Sequence, residues 1–110
     1  MDRLVTLGQL LDWYGAFLTP RRRSLATQYA CEDCSLSEIA EREQISRQAV
    51  RDAIARAERE LTDMEARLRL IERVQKTRAL AGELSEMTDD ARMREKLAAL
   101  TDIWEDDDGV

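Results

Sequence analysis

The sequence predicts an all-α protein: a helix-turn-helix bundle with a long central helix and a C-terminal helical extension. Three observations carry that expectation. Glycine occurs four times and proline once in 110 residues, which leaves little punctuation for strands or long loops. Apolar residues make up 44% of the chain and charged residues 36%, with Ala, Leu, Glu and Arg, all good helix formers, prominent among them. The apolar positions also recur at alternating spacings of three and four, the period of a helix with one buried face.

Each element follows from local chemistry. Leu4, Leu7, Leu11, Tyr14 and Leu18 form the stripe of a first helix, and Leu10, Trp13 and Phe17 add a second apolar face. Thr19 and Pro20 read as an N-cap followed by proline in the first turn, so a second helix runs through Arg21, Arg22 and Arg23 to about Glu32. Ser35 with Glu38 fits a capping box and opens a short third helix whose inner face is Leu36, Ile39 and Ala40. Ser46 caps the next one. Beyond it Val50, Ile54, Ala57, Leu61, Met64, Leu68 and Ile71 give the clearest stripe in the chain.

No glycine or proline interrupts from Ser46 to Ala81, and within that span one continuous helix of about 28 residues, roughly 42 Å long, is expected. Gly82 is the first expected break. Thr88, Asp89 and Asp90 look like a cap with first-turn carboxylates, suited to the helix dipole, for a last helix carrying Met93, Leu97, Leu100 and Trp104. Two regions result: residues 1–72, a helix-turn-helix domain with its N-terminal helix, and residues 73–110, a helical extension with an acidic tail.

The net charge of −6 is unevenly spread. Residues 83–110 hold ten acidic and three basic side chains, whereas residues 1–82 are nearly balanced, so the first part remains able to present a basic face. No segment approaches the roughly 18 apolar residues of a membrane span, and the N-terminus has no signal-peptide pattern. A soluble, cytoplasmic protein is expected.

Histidine is absent, and no set of catalytic residue types or glycine-rich phosphate loop stands out, so an enzyme is not expected. Cys31 and Cys34 form a lone C-x-x-C. A redox role needs a βαβ context, and a zinc site needs two more ligands from a second subunit. The pair reads as two small residues ending a helix in a reducing compartment, and neither a metal nor a cofactor is expected.

The segment that points to function is 35–60. Ala40 is small where two helices cross, Ile45 fills the corner, and Val50 and Ile54 dock the second helix, leaving its start free to project. Arg47, Gln48, Arg51 and Asp52 would then face outward. Arg47, Gln48 and Arg51 are of the types that read base edges, Arg56 and Arg59 would reach phosphates, and Arg21, Arg22 and Arg23 would add a neighbouring phosphate-facing cluster. Gln44 stands where glycine is common in such a turn, so an altered turn is expected, because a positive φ is costly for glutamine.

The 3.5-residue spacing of the long stripe and the doubly apolar first helix both suggest a homodimer. Leu7, Leu11, Tyr14, Leu61, Met64, Leu68 and Ile71 are its expected interface.

The run from Leu11 to Arg21, with Asp12, Trp13, Tyr14, Gly15, Thr19 and Pro20, resembles the YlxM family of small bacterial helix-turn-helix proteins. So do Tyr29 to Ala40 and the Ile45-Ser46-Arg47-Gln48-Ala49-Val50-Arg51-Asp52 block. The likeness covers roughly residues 4–72; Gln44, Cys31 and Cys34 depart from it. It implies a fold similar to sigma factor region 4, a homodimer, and a link to the signal recognition particle, since members are typically encoded beside its GTPase. The leading expectation is therefore a binding or regulatory protein that touches the particle's RNA or GTPase. A sequence-specific DNA-binding regulator and a helical scaffold that binds no nucleic acid are the alternatives.

Overall fold

A computed structural model describes residues 2–105. Among them are six α-helices, one short 3-10 turn and no strand. In order they are α1 (Arg3–Tyr14), the 3-10 turn (Gly15–Phe17), α2 (Pro20–Ala30), α3 (Leu36–Glu43), α4 (Arg47–Leu68), α5 (Leu70–Met87) and α6 (Ala91–Asp102). The chain divides into two compact units between Leu68 and Arg69, just ahead of the boundary expected at residue 72.

The first unit holds α1 to α4. Asp2 caps α1, its carboxylate accepting from the Leu4 amide at 2.8 Å. Thr19 caps α2 ahead of Pro20, as its sequence suggests. Helix α4 is the spine, against which α1, α2 and α3 all pack. Their shared core includes Leu7, Leu10, Leu11, Tyr14, Leu25, Ile39, Val50, Ile54 and Leu61.

This packing corrects the expected dimer seam. Leu7, Leu11, Tyr14 and Leu61 are at most 4% exposed in the single chain, so α1 is covered by its own α2 and α4 and needs no second copy. Tyr14 also spends its hydroxyl within the unit, donating to the Glu65 carboxylate of α4. Of the other expected interface residues, Met64 is half-buried, Ile71 is buried, and Leu68 is 49% exposed.

The continuous helix expected after Ser46 is broken at Arg69, which adopts the left-handed conformation with φ 56°. No glycine or proline marks the break, and the apolar spacing runs through it unchanged. Its chemistry is local: the Arg69 Nε reaches the Glu72 carboxylate at 2.7 Å in the first turn of α5, and Lys76 reaches the same carboxylate at 3.4 Å. Gly82, the expected break, lies inside α5, where a Cβ would meet nothing within 4 Å. An interior glycine weakens a helix by about 1 kcal/mol, which is too little to end one.

The second unit is the hairpin of α5 and α6. Asp90 caps α6, accepting from the Arg92 and Met93 amides. Arg94 donates to the Ser85 carbonyl, while Arg78 donates to the Trp104 carbonyl and pairs with Glu105 at 3.2 Å, so the helices run antiparallel. No residue of α6 is buried. Leu80, Leu84 and Met87 on α5 are exposed, as are Met93, Leu100, Ile103 and Trp104 on and after α6. Asp106, Asp107 and Asp108 of the expected acidic tail lie outside the described residues.

Candidate nucleic-acid interface

The helix-turn-helix is α3, the three residues 44–46, and α4. Its first helix is fixed by a complete capping box: the Ser35 hydroxyl accepts from the Glu38 amide at 3.0 Å, and the Glu38 carboxylate accepts from the Ser35 amide at 2.9 Å. The Ser35 amide, and after it the Ser35 hydroxyl, hold the Glu38 carboxyl below the usual carboxylate range.

The turn keeps its left-handed geometry without glycine, contrary to expectation. Gln44 sits at φ 57° and ψ 44°, and the Gln44 and Ile45 amides both donate to the Ala40 carbonyl. Two bonds onto one helix-end carbonyl, together with buried Ile39 and Ala40, offset the strain of a non-glycine residue there. Ser46 then opens α4, its hydroxyl accepting from the Ala49 amide at 2.9 Å.

At about 100° per residue, the buried side of α4 (Val50, Ile54, Ala57, Leu61) leaves Gln48, Asp52 and Arg59 opposite, with Arg47 and Arg51 on one flank. Arg47, Gln48, Arg51, Asp52, Arg56 and Arg59 are all exposed. Arg47 and Arg51, one turn apart, have no side-chain hydrogen bond or ion pair among the described residues. Gln48 is engaged in part: its amide nitrogen donates one hydrogen to Asp52 at 2.8 Å, which leaves its carbonyl oxygen and its second N–H for other partners.

The expected cluster of Arg21, Arg22 and Arg23 is split. Arg21 and Arg23 are exposed, but Arg22 pairs with Glu60 of α4 at 2.8 Å with its side chain only 23% accessible, so it ties α2 to α4. Arg56 approaches the same Glu60 oxygen at only 3.9 Å and remains 65% accessible. Between these groups a groove of about 460 Å³ is lined by Arg22, Asp52, Ala53, Ala55, Arg56 and Arg59.

Sequence reasoning missed Arg3. It forms a fork onto Glu58 of α4, with Nε 2.9 Å and Nη2 3.0 Å from the carboxylate oxygens. No local spacing signals a partner so far along the chain. Glu58 and Glu60 thus hold an arginine on each side of α4, which offsets their own charge, while exposed Asp52 keeps a carboxylate on the face between them.

Cys31 and Cys34 are free thiols. Cys31 is exposed, but partial desolvation of its thiol, with the Asp12 and Glu32 carboxylates nearby, pushes it up and away from a reactive thiolate. Among the described residues, no group of three or more Cys, Asp or Glu side chains is placed to hold a metal ion, and no helix is long and apolar enough to cross a membrane.

Residues 1–101 match the UPF0122 family, described as helix-turn-helix protein, YlxM / p13 like. The chain belongs to this family. An Oceanobacillus iheyensis UPF0122 protein is 37% identical over 103 residues, covering 94% of this chain and 98% of the relative. The UPF0122 protein YlxM of Bacillus subtilis is 32% identical over 105 residues, covering 96% of each chain. A UPF0122 protein of Symbiobacterium thermophilum is 43% identical over 103 residues, covering 91% of this chain and 96% of its own. The likeness spans both compact units, so the α5–α6 hairpin is as much a part of the UPF0122 protein as the helix-turn-helix.

Proposed function

We propose that this UPF0122 protein is a cytoplasmic helix-turn-helix accessory factor of the signal recognition particle pathway that binds the particle's RNA through the start of α4. One observation carries the reading. Arg47 and Arg51 are exposed and unpartnered one turn apart at the start of the helix, while Glu58 and Glu60 farther along it are paired with Arg3 and Arg22. Paired arginines at a helix start suit phosphate and guanine contacts. The link to the particle rests on the YlxM resemblance.

A DNA-binding regulator is the second reading, favoured by the helix-turn-helix itself.

We further infer that the protein acts as a homodimer through the hairpin. Two helices that leave Leu80, Leu84, Met87, Met93, Leu100 and Trp104 exposed bury too little to be stable alone. Exposed Glu83 and Glu86 on α5 and exposed Arg92 and Lys96 on α6 supply the opposite charges that a two-fold contact would pair.

The test of function is competition for a labelled particle RNA at low salt. Displacement by unlabelled particle RNA but not by random duplex DNA supports the first reading, and equal displacement supports the regulator. Absence of binding to either nucleic acid rejects both and leaves a protein scaffold, with the particle GTPase as the client to assay.

A further inference from the structure

Beside the start of α4 lies a cavity of about 320 Å³, lined by Arg3, Tyr29, Leu36, Arg51, Ile54 and Ala55. All four helices of the first unit contribute to it. Ile54, 2% exposed, and half-buried Leu36 supply an apolar floor, and half-buried Tyr29 supplies an aromatic wall. Arg3 is locked at the rim by its fork onto Glu58. Arg51, one of the two unpartnered arginines of the proposed interface, completes the lining.

The volume falls at the lower end of the roughly 300–1,000 Å³ typical of small-ligand pockets. An apolar floor, an aromatic wall and the unpaired Arg51 cation at the edge together suit one planar heteroaromatic ring attached to an anionic backbone. In a uniform duplex such a ring is stacked and paired, and it becomes available only where a strand is looped or bulged.

We propose that this cavity receives one unpaired nucleobase of a looped or bulged strand, stacked against Tyr29, with its flanking phosphates on Arg51 and Arg47. The proposal rests on the reading that the protein binds nucleic acid, and it makes irregular single-stranded sites the preferred part of that ligand. RNA and single-stranded DNA share the recognised chemistry, so the probes must separate them.

The experiment measures anisotropy of three labelled probes at one low salt concentration: an RNA hairpin with an unpaired loop, the same stem fully paired, and a DNA strand of the loop sequence. The full chain is expected to prefer the looped RNA over the paired stem by about ten-fold, the scale of one base–aromatic stack. Tyr29→Ala should abolish that preference while leaving stem binding unchanged, and Tyr29→Phe should retain it. Leu36→Phe, which narrows the cavity from α3 and away from the outer face of α4, should act like Tyr29→Ala and guards against a variant that fails to fold. A 2-aminopurine in the loop should be quenched on binding by the wild type and by Tyr29→Phe only.

Equal binding of loop and stem by the wild type would overturn the proposal, as would a preference untouched by Tyr29→Ala and Leu36→Phe. Either result leaves the helix-turn-helix reading standing. Failure to bind any probe would overturn both. Equal affinity for the looped RNA and the DNA strand assigns the site to single strands in general, and tighter RNA binding assigns it to RNA.

Discussion

Single residues decide how the helix-turn-helix is held. Gln44 adopts a left-handed conformation that costs a non-glycine residue about 1–2 kcal/mol, and it persists because the Ala40 carbonyl accepts two amides there. Gln44→Gly should therefore stabilise the protein by up to about 1 kcal/mol, since glycine's larger loss of chain entropy takes back part of the gain. The check is a higher denaturation midpoint at an unchanged denaturant slope; a lower midpoint would show that the glutamine side chain contributes contacts of its own. The pairs Arg3–Glu58 and Arg22–Glu60 belong to the same scale. Each spends an arginine that a reading of charge alone would assign to phosphate. Gln48 is likewise committed in part to Asp52, so composition overstates what the outer face has free.

At the scale of the element, helix ends follow from their caps. The Glu38 carboxyl titrates below its ordinary value because the folded state bonds its ionised form. A depressed folded pKa contributes stability that is present above the unfolded value and lost as pH falls through the folded one. Amide exchange at Ser35 should therefore speed up, relative to its intrinsic rate, below the ordinary carboxylate range, and Glu38→Gln should remove that dependence. Persistence of the pH dependence in Glu38→Gln would assign it to another group. The starts of α2 and α3 were legible in the sequence because Thr19-Pro20 and Ser35 with Glu38 act within a few residues; that of α6 was legible only as a region, since Asp90 is the cap and not a first-turn carboxylate. The break at Arg69 was not, because arginine is a good helix former and the stripe from Leu61 to Ile71 keeps its spacing across it. The candidate site divides in the same way. Arg47 and Arg51 could be placed from helical period alone, whereas the base-sized cavity needs Arg3, Tyr29, Leu36 and Ile54, which only tertiary packing brings together.

For the whole molecule, the question is what covers each apolar stripe, and periodicity does not answer it. Leu7, Leu11, Tyr14 and Leu61 look the same in sequence whether covered by the same chain or by a copy, and the structure assigns them to the first unit's own core. The exposed stripes lie instead on the hairpin. Light scattering at micromolar concentration should give twice the chain mass of 12.7 kDa. Leu84→Glu with Met93→Glu should give the single mass, because carboxylates would then have to be buried without partners. A monomeric wild type would remove the dimer.

The account turns on the start of α4 as a docking surface for nucleic acid, and the salt dependence of particle RNA binding tests this most directly. Each phosphate contact contributes about 0.7–0.9 to the slope of log K against log salt. Arg47→Ala with Arg51→Ala should weaken binding at least ten-fold at low salt and flatten that slope by about 1.5, on the same scale. Affinity and slope equal to those of the wild type would contradict the account, because the two arginines left free by the fold would then touch no phosphate.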